Sequence, residues 1–163
     1  MEELLNTLQK ILSRHIGLHR QLLDLVRLEN DAIVQMSLKE IQEITFSKEA
    51  LINAIQSCEF ERKQICENIG NQSLDSIILS LQDQGRTSLS EQFRTAQNTL
   101  KLLIDRIGEQ NEQNKGLVEH TLVHIQNMKK NILGVSEVQS TTYTSQGQTQ
   151  TTQAEGRPRM IVQ

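Results

Sequence analysis

Apolar residues return every three or four positions through most of the first 133 residues, and the breaks in that rhythm mark the elements. From Glu2 to about Met36, Leu4, Leu8, Ile11, Leu18, Leu22 and Leu25 recur at helical spacing, with His15 in the one gap. Leu5, Leu12, Val26 and Ile33 widen this stripe to the face of a bundle helix. Gly17 interrupts it and points to a close helix crossing or a mild bend. Ser37-Leu38-Lys39-Glu40 has the form of a capping box, so a second helix is expected to start with almost no preceding loop.

That second helix, Leu38 to Ile69, carries Ile41, Ile44, Leu51, Ile55, Cys58, Ile65 and Ile69. Lys48 and Arg62 fall on the same stripe. Their stems cover apolar surface with the charge at the edge, or they form a polar device that fixes register. Gly70-Asn71-Gln72 ends the helix, Ser73 caps a short one from Leu74 to Gln82, and Gly85 ends that piece. A second box, Ser88-Leu89-Ser90-Glu91, opens the longest helix, Leu89 to Leu133. Its stripe runs through Leu89, Phe93, Ala96, Leu100, Leu103 and Ile107, then resumes as Leu117, Val118, Leu122, Ile125, Met128 and Ile132. Between the halves, Glu109 to Lys115 forms a polar window with Asn111 and Asn114 at expected apolar positions, which reads as a stutter in the heptad. The pattern predicts an all-α fold: an elongated antiparallel helical bundle of three long helices plus one short helix, residues 1–133. A disordered Thr/Ser/Gln-rich tail, residues 134–163, follows, because it has too little apolar surface to offset the entropy of ordering.

Composition sharpens this picture. With no Trp, one Tyr and three Phe, the core has to be built from Leu and Ile. The single proline, Pro158, lies in the tail, so no proline interrupts the helices. A net charge of −3 with scattered basic residues gives no footprint for nucleic acid or an anionic membrane. No apolar run reaches membrane-span length, and the acidic, amphipathic MEELLNTLQK start is unlike a secretory signal. A cytoplasmic protein is expected. Cys58 and Cys66 lie eight residues apart on one helix, a rise of about 12 Å, beyond the ~7 Å Cα reach of a disulfide. They are expected as free thiols in a reducing compartment.

Candidate chemistry is sparse. The four histidines form two i, i+4 pairs, His15/His19 and His120/His124, each able to offer two corners of a zinc site. Antiparallel first and last helices would bring the pairs to similar heights. Without HExxH or nearby Cys or Asp at ligand spacing, ordinary histidines at polar edges or half-buried positions are the favoured reading. No Gly-rich phosphate loop, nucleophile elbow or Glu-x-x-His pattern is present, so no enzyme and no cofactor are expected. Asn111 and Asn114 form either a polar layer that specifies register or a groove whose amides bond an incoming peptide.

Asn111-x-x-Asn114-x-x-Leu117 in a long last helix, the apolar stripe ending at Leu133, and Tyr143-x-x-x-Gly147 beyond it resemble the FlgN family. The Leu-rich opening helix, Ile44, Lys48-Glu49-x-Leu51 and Glu61-Arg62 are similar to that family as well. The resemblance implies a cytoplasmic export chaperone. Its partners would be the C-terminal helical segments of flagellar hook-associated (hook-filament junction) proteins, with components of the flagellar type III export apparatus as further partners. It implies a monomer or weak homodimer and helix-in-groove binding, with Asn111, Asn114, Leu117, Leu122, Ile125, Met128 and Ile132 at the contact. Tyr143 is the aromatic anchor of the tail, and Ile161-Val162 a small apolar patch. The alternative is a coiled-coil scaffold that self-associates through the same stripes, and a third reading is a metal-dependent bundle enzyme.

Overall fold

The computed structural model describes residues 1–70, 73–133, 142–143 and 149–150. Helix α1 spans Glu2–Val34, α2 Leu38–Ile69, α3 Leu74–Asp83 and α4 Thr87–Leu133. The strands β1, Thr142–Tyr143, and β2, Thr149–Gln150, pair antiparallel with Thr142 opposite Gln150. This ladder lies in the segment expected to be disordered; the rest of that segment, with Ile161-Val162, falls outside the described residues. The chain divides into two compact units, Met1–Thr121 and Leu122–Gln163.

The first unit is the bundle. Cross-helix bonds join Glu2 to Arg86, Gln9 to Gln92 and Asn30 to Asn114, pairs 84, 83 and 84 residues apart. This constant separation makes α1 and α4 parallel. Helix α2 runs antiparallel to α1, bonding Arg14 through Glu61 and Glu29 through Lys48. The premise that would have gathered the four histidines, antiparallel first and last helices, therefore does not hold.

Two apolar clusters fill the bundle. One joins Leu5, Leu8 and Leu12 of α1 with Cys66 of α2, the inner face of α3, and Phe93 and Leu100 of α4. The other joins Leu22, Leu23 and Val26 with Leu103 and Ile107, flanked by Leu51 and Ile55. The bundle thus has four helices where α3 is present and three beyond it. The inward line of α1 reads Leu5, Leu8, Leu12, His15, His19, Leu22, Val26, Glu29 and Ile33; of the expected stripe, Leu8, Ile11 and Leu22 are buried, whereas Leu4, Leu18 and Leu25 are half-buried beside it. In α4 the line passes unbroken through Phe93, Ala96, Leu100, Leu103, Ile107, Gln110, Asn114 and Leu117. The expected stutter is absent: the polar residues occupy heptad positions, and Val118 lies on the neighbouring face.

The turns depart from the capping boxes. Ser37 makes no side-chain cap bond. The turn is instead a Schellman motif, with Ser37 N–H donating to Ala32 and Met36 N–H to Ile33 while Met36 takes φ 55°. Helix α4 opens at Thr87, which places Ser88 inside the first turn. Ser73 does cap α3, accepting from Ser76 N–H at 3.2 Å. Gly85, at φ 73°, closes α3 with the same Schellman pattern through Arg86 and Leu81.

Among the described residues, a side chain at Gly17 would meet nothing within 4 Å, so no close crossing requires the glycine. Gly17→Ala should raise stability by about 0.5–1 kcal/mol. Met36→Gly should do so by about 1 kcal/mol, through relief of the left-handed backbone of a non-glycine residue. Urea denaturation at constant m-value checks both, and a loss in either variant contradicts the local account.

Candidate partner-binding site

Asn114 is 3% exposed, and all of its bonding capacity is used within the bundle. Its amide donates to the Val26 carbonyl at 2.8 Å and to Glu29 at 3.0 Å. Its oxygen accepts from Asn30 at 2.9 Å and Gln110 at 3.2 Å. Glu29 also accepts from Lys48 at 2.7 Å, an ion pair with both side chains largely covered. One polar layer thus ties α1, α2 and α4 together. Lys48 serves here as an inter-helix tie, with its stem covered as well. Asn111 is exposed, and its oxygen lies 3.5 Å from Lys48 Nζ. Leu117 is half-buried on the inward line.

A second polar layer separates the two apolar clusters. His15 and His19 are each 6% exposed, more deeply placed than a polar-edge position, with rings edge to face at 4.7 Å. His19 Nδ1 bonds the His15 carbonyl at 2.9 Å. Both ring nitrogens of His15 are buried without a hydrogen-bond partner. Beside them Arg62 grips Glu59 with two bonds, 2.7 and 2.8 Å, and reaches Cys66 Sγ at 3.5 Å. Burial, then the neighbouring His19, lowers the His15 pKa; Glu59 opposes this, and Arg62 and Arg14 add to it. The Arg62 hydrogen bonds hold Glu59 below its usual range, and burial pushes the Cys66 thiol up. Cys58 and Cys66 are both free and buried.

In the second unit, the part of α4 from Leu122 onward carries an apolar line that is exposed among the described residues. Leu122, Ile125, Met128 and Ile132 are all exposed, Ile132 to 78%. Leu122, Ile125 and Ile132 share one face through Lys129, with Met128 beside it. Tyr143 belongs to β1. His120 and His124 are exposed, and among the described residues no group of three or more His, Cys, Asp or Glu is placed to hold a metal. Among the described residues, no helix is long and apolar enough to cross a membrane. Sequence reasoning missed His15 and His19 as a paired inward layer; the heptad steps from Leu12 to Leu22 were the available signal.

The family model described as FlgN protein matches residues 1–151 of the chain. No curated protein and no solved structure matches it.

The buried polar layers generate two predictions. Asn114→Ala should cost about 2 kcal/mol, from a cavity and the loss of bonds to the covered Glu29 carboxylate, and calorimetry should show a lower Tm. Unfolded chain takes up the imidazole proton near pH 6.5, whereas the folded chain resists it to a lower pH. Stability from neutral His15 is therefore complete above about pH 6.5 and lost as pH falls below it. The Glu59 contribution persists to about pH 4.3 and is lost below that. His15→Leu should raise stability near neutral pH by about 1–2 kcal/mol and flatten the decline below about pH 6.5. An unchanged slope would contradict the assignment to His15.

Proposed function

Because this chain belongs to the FlgN family of flagellar export chaperones, we propose that it binds the C-terminal helical segments of hook-associated proteins in the cytoplasm. It keeps those subunits from assembling prematurely and delivers them to the flagellar type III export apparatus. The observation that carries this reading is the uncovered apolar line Leu122, Ile125, Met128 and Ile132 on an already formed helix. An amphipathic client segment needs a complementary stripe to shield its own apolar face. Asn111 has an amide at the surface to add polar contact, and Tyr143 adds an aromatic anchor. Asn114 and Leu117 serve the same function by positioning α4.

The same uncovered line also suits a self-associating scaffold, which is the second reading. Light scattering separates them. A chaperone is a monomer or weak dimer that yields a defined complex with client, whereas a scaffold is a stable higher oligomer regardless of client.

Ile125→Asp combined with Met128→Asp should weaken binding of a hook-associated protein by at least about tenfold. Since both side chains are exposed, global stability should move by no more than about 0.5 kcal/mol. Titration calorimetry alongside thermal melts reads both quantities. Wild-type protein that binds no hook-associated protein would sink the chaperone reading.

A further inference from the structure

Two of the three phenylalanines in the chain lie outside its core. Phe93 is buried in the first apolar cluster, whereas Phe46 and Phe60 of α2 are 75% and 62% exposed. Large aromatic side chains are costly to leave in water. Phe46, Asn53 and Phe60 follow one another at heptad steps, on the side of α2 turned away from the buried Cys58 and Cys66. One more heptad at each end reaches Lys39 and Glu67, both exposed. Ala50 and Ser57 flank the line with short side chains, which leaves room for a second helix to approach.

The line is symmetric in size and complementary in charge. Asn53 is its midpoint, with Phe46 and Phe60 seven residues to either side and Lys39 and Glu67 fourteen. A second copy of α2, laid antiparallel with the two Asn53 residues opposite, brings Phe46 against the other copy's Phe60 and Lys39 against its Glu67. Each contact then occurs twice, as in any isologous interface. Beside the line, Glu43 comes level with the other copy's Lys63. Asn53 meets its own equivalent, and an amide both donates and accepts.

Other alignments lose these pairs. A shift of one heptad sets the phenylalanines against Asn53 and a charged end. A parallel pair sets Lys39 against Lys39 and Glu67 against Glu67, and like charges repel. Within the chain the two end charges are nearly free. Lys39 reaches only Glu43 on its own helix, at 3.9 Å with both side chains well exposed, and no ion pair holds Glu67 among the described residues.

We propose that the outward face of α2 is a self-association surface on which two copies of this chain pair antiparallel about Asn53. The seam runs four heptads, about 42 Å at 1.5 Å per residue. Its apolar contact is confined to the two Phe46–Phe60 layers, so the dimer is weak and reversible. The seam uses none of Leu122, Ile125, Met128 and Ile132, and it stands whether or not the chain binds a hook-associated protein.

Sedimentation velocity on the full chain should show a monomer–dimer equilibrium with a midpoint in the micromolar range. Phe46→Ala and Phe60→Ala should each weaken it at least about tenfold, because each loss is counted twice. Lys39→Glu and Glu67→Lys should each weaken it about tenfold, and the two together should return it to within about threefold of wild type. In a parallel pair like charges meet in wild type and in every charge variant, so neither loss nor rescue would appear. Asn53→Cys should cross-link to its own equivalent on mild oxidation, with Cys58 and Cys66 buried and out of reach. All five substituted positions are exposed, so thermal melts should move little. A monomer even at millimolar concentration overturns the proposal. So does a dimer unmoved by Phe46→Ala, one weakened by the single charge reversals but not rescued by both, one that fails to cross-link through Asn53→Cys, or one lost only in Ile125→Asp with Met128→Asp.

Discussion

The amide of Asn114 fixes how α4 lies along α1. Two parallel helices with apolar lines in three- and four-residue steps can slip past each other by a heptad and bury almost the same surface. Hydrophobic contact is not directional and does not choose between such alignments. A buried amide bonded across the helix pair does, because a slip would leave Val26, Glu29 and Asn30 facing the wrong groups. The same layer draws in α2 through Lys48 and Glu29. The seat of α3 against Phe93 and Leu100 follows from that alignment. A leucine layer would pack well but would not distinguish one register from the next, which is the recognised use of a polar heptad position.

Helix boundaries were legible because local signals set them. The α2 line, including Lys48 and Arg62, could be read directly, and Ser73 caps α3 as its spacing implied. What could not be read depends on partners distant in the chain. A polar layer at Asn114 could be read from its place in the stripe, but its partners could not, because Glu29 lies 85 positions away in sequence. In α1, lines one residue apart are both partly apolar, so spacing alone did not choose between Leu4 and Leu5 as the centre. The Ser37 box failed for a backbone reason. Met36 adopts a left-handed conformation that nothing in its side chain announces. In the candidate site, Leu122, Ile125, Met128 and Ile132 were visible as a stripe, but whether such a stripe is covered is a property of the folded chain.

The two polar layers have different physical character. Around Asn114 every donor has an acceptor, so its desolvation is offset and the layer acts as a lock. Around His15 the pairing is incomplete: Arg62 and Glu59 satisfy each other, and the imidazole between the two apolar clusters has nothing to bond. An unpaired buried imidazole is a standing cost to stability. An apolar side chain of similar size at this position would remove that cost.

Preorganisation connects the bundle to binding. A client segment that folds on contact must order its own backbone, a cost of roughly 1–2 kcal/mol per residue. Affinity then depends on how little the receiving surface must order in addition. The line from Leu122 to Ile132 is presented on a helix that is already formed, and isolated helices are poor at forming alone because nucleation is unfavourable. Helix α4 is nucleated and held in the bundle from Thr87 to Thr121, so its later turns only extend an existing helix. On the proposed reading, the register lock at Asn114 serves binding as well as folding, because a secure α4 lets an exposed apolar line remain helical.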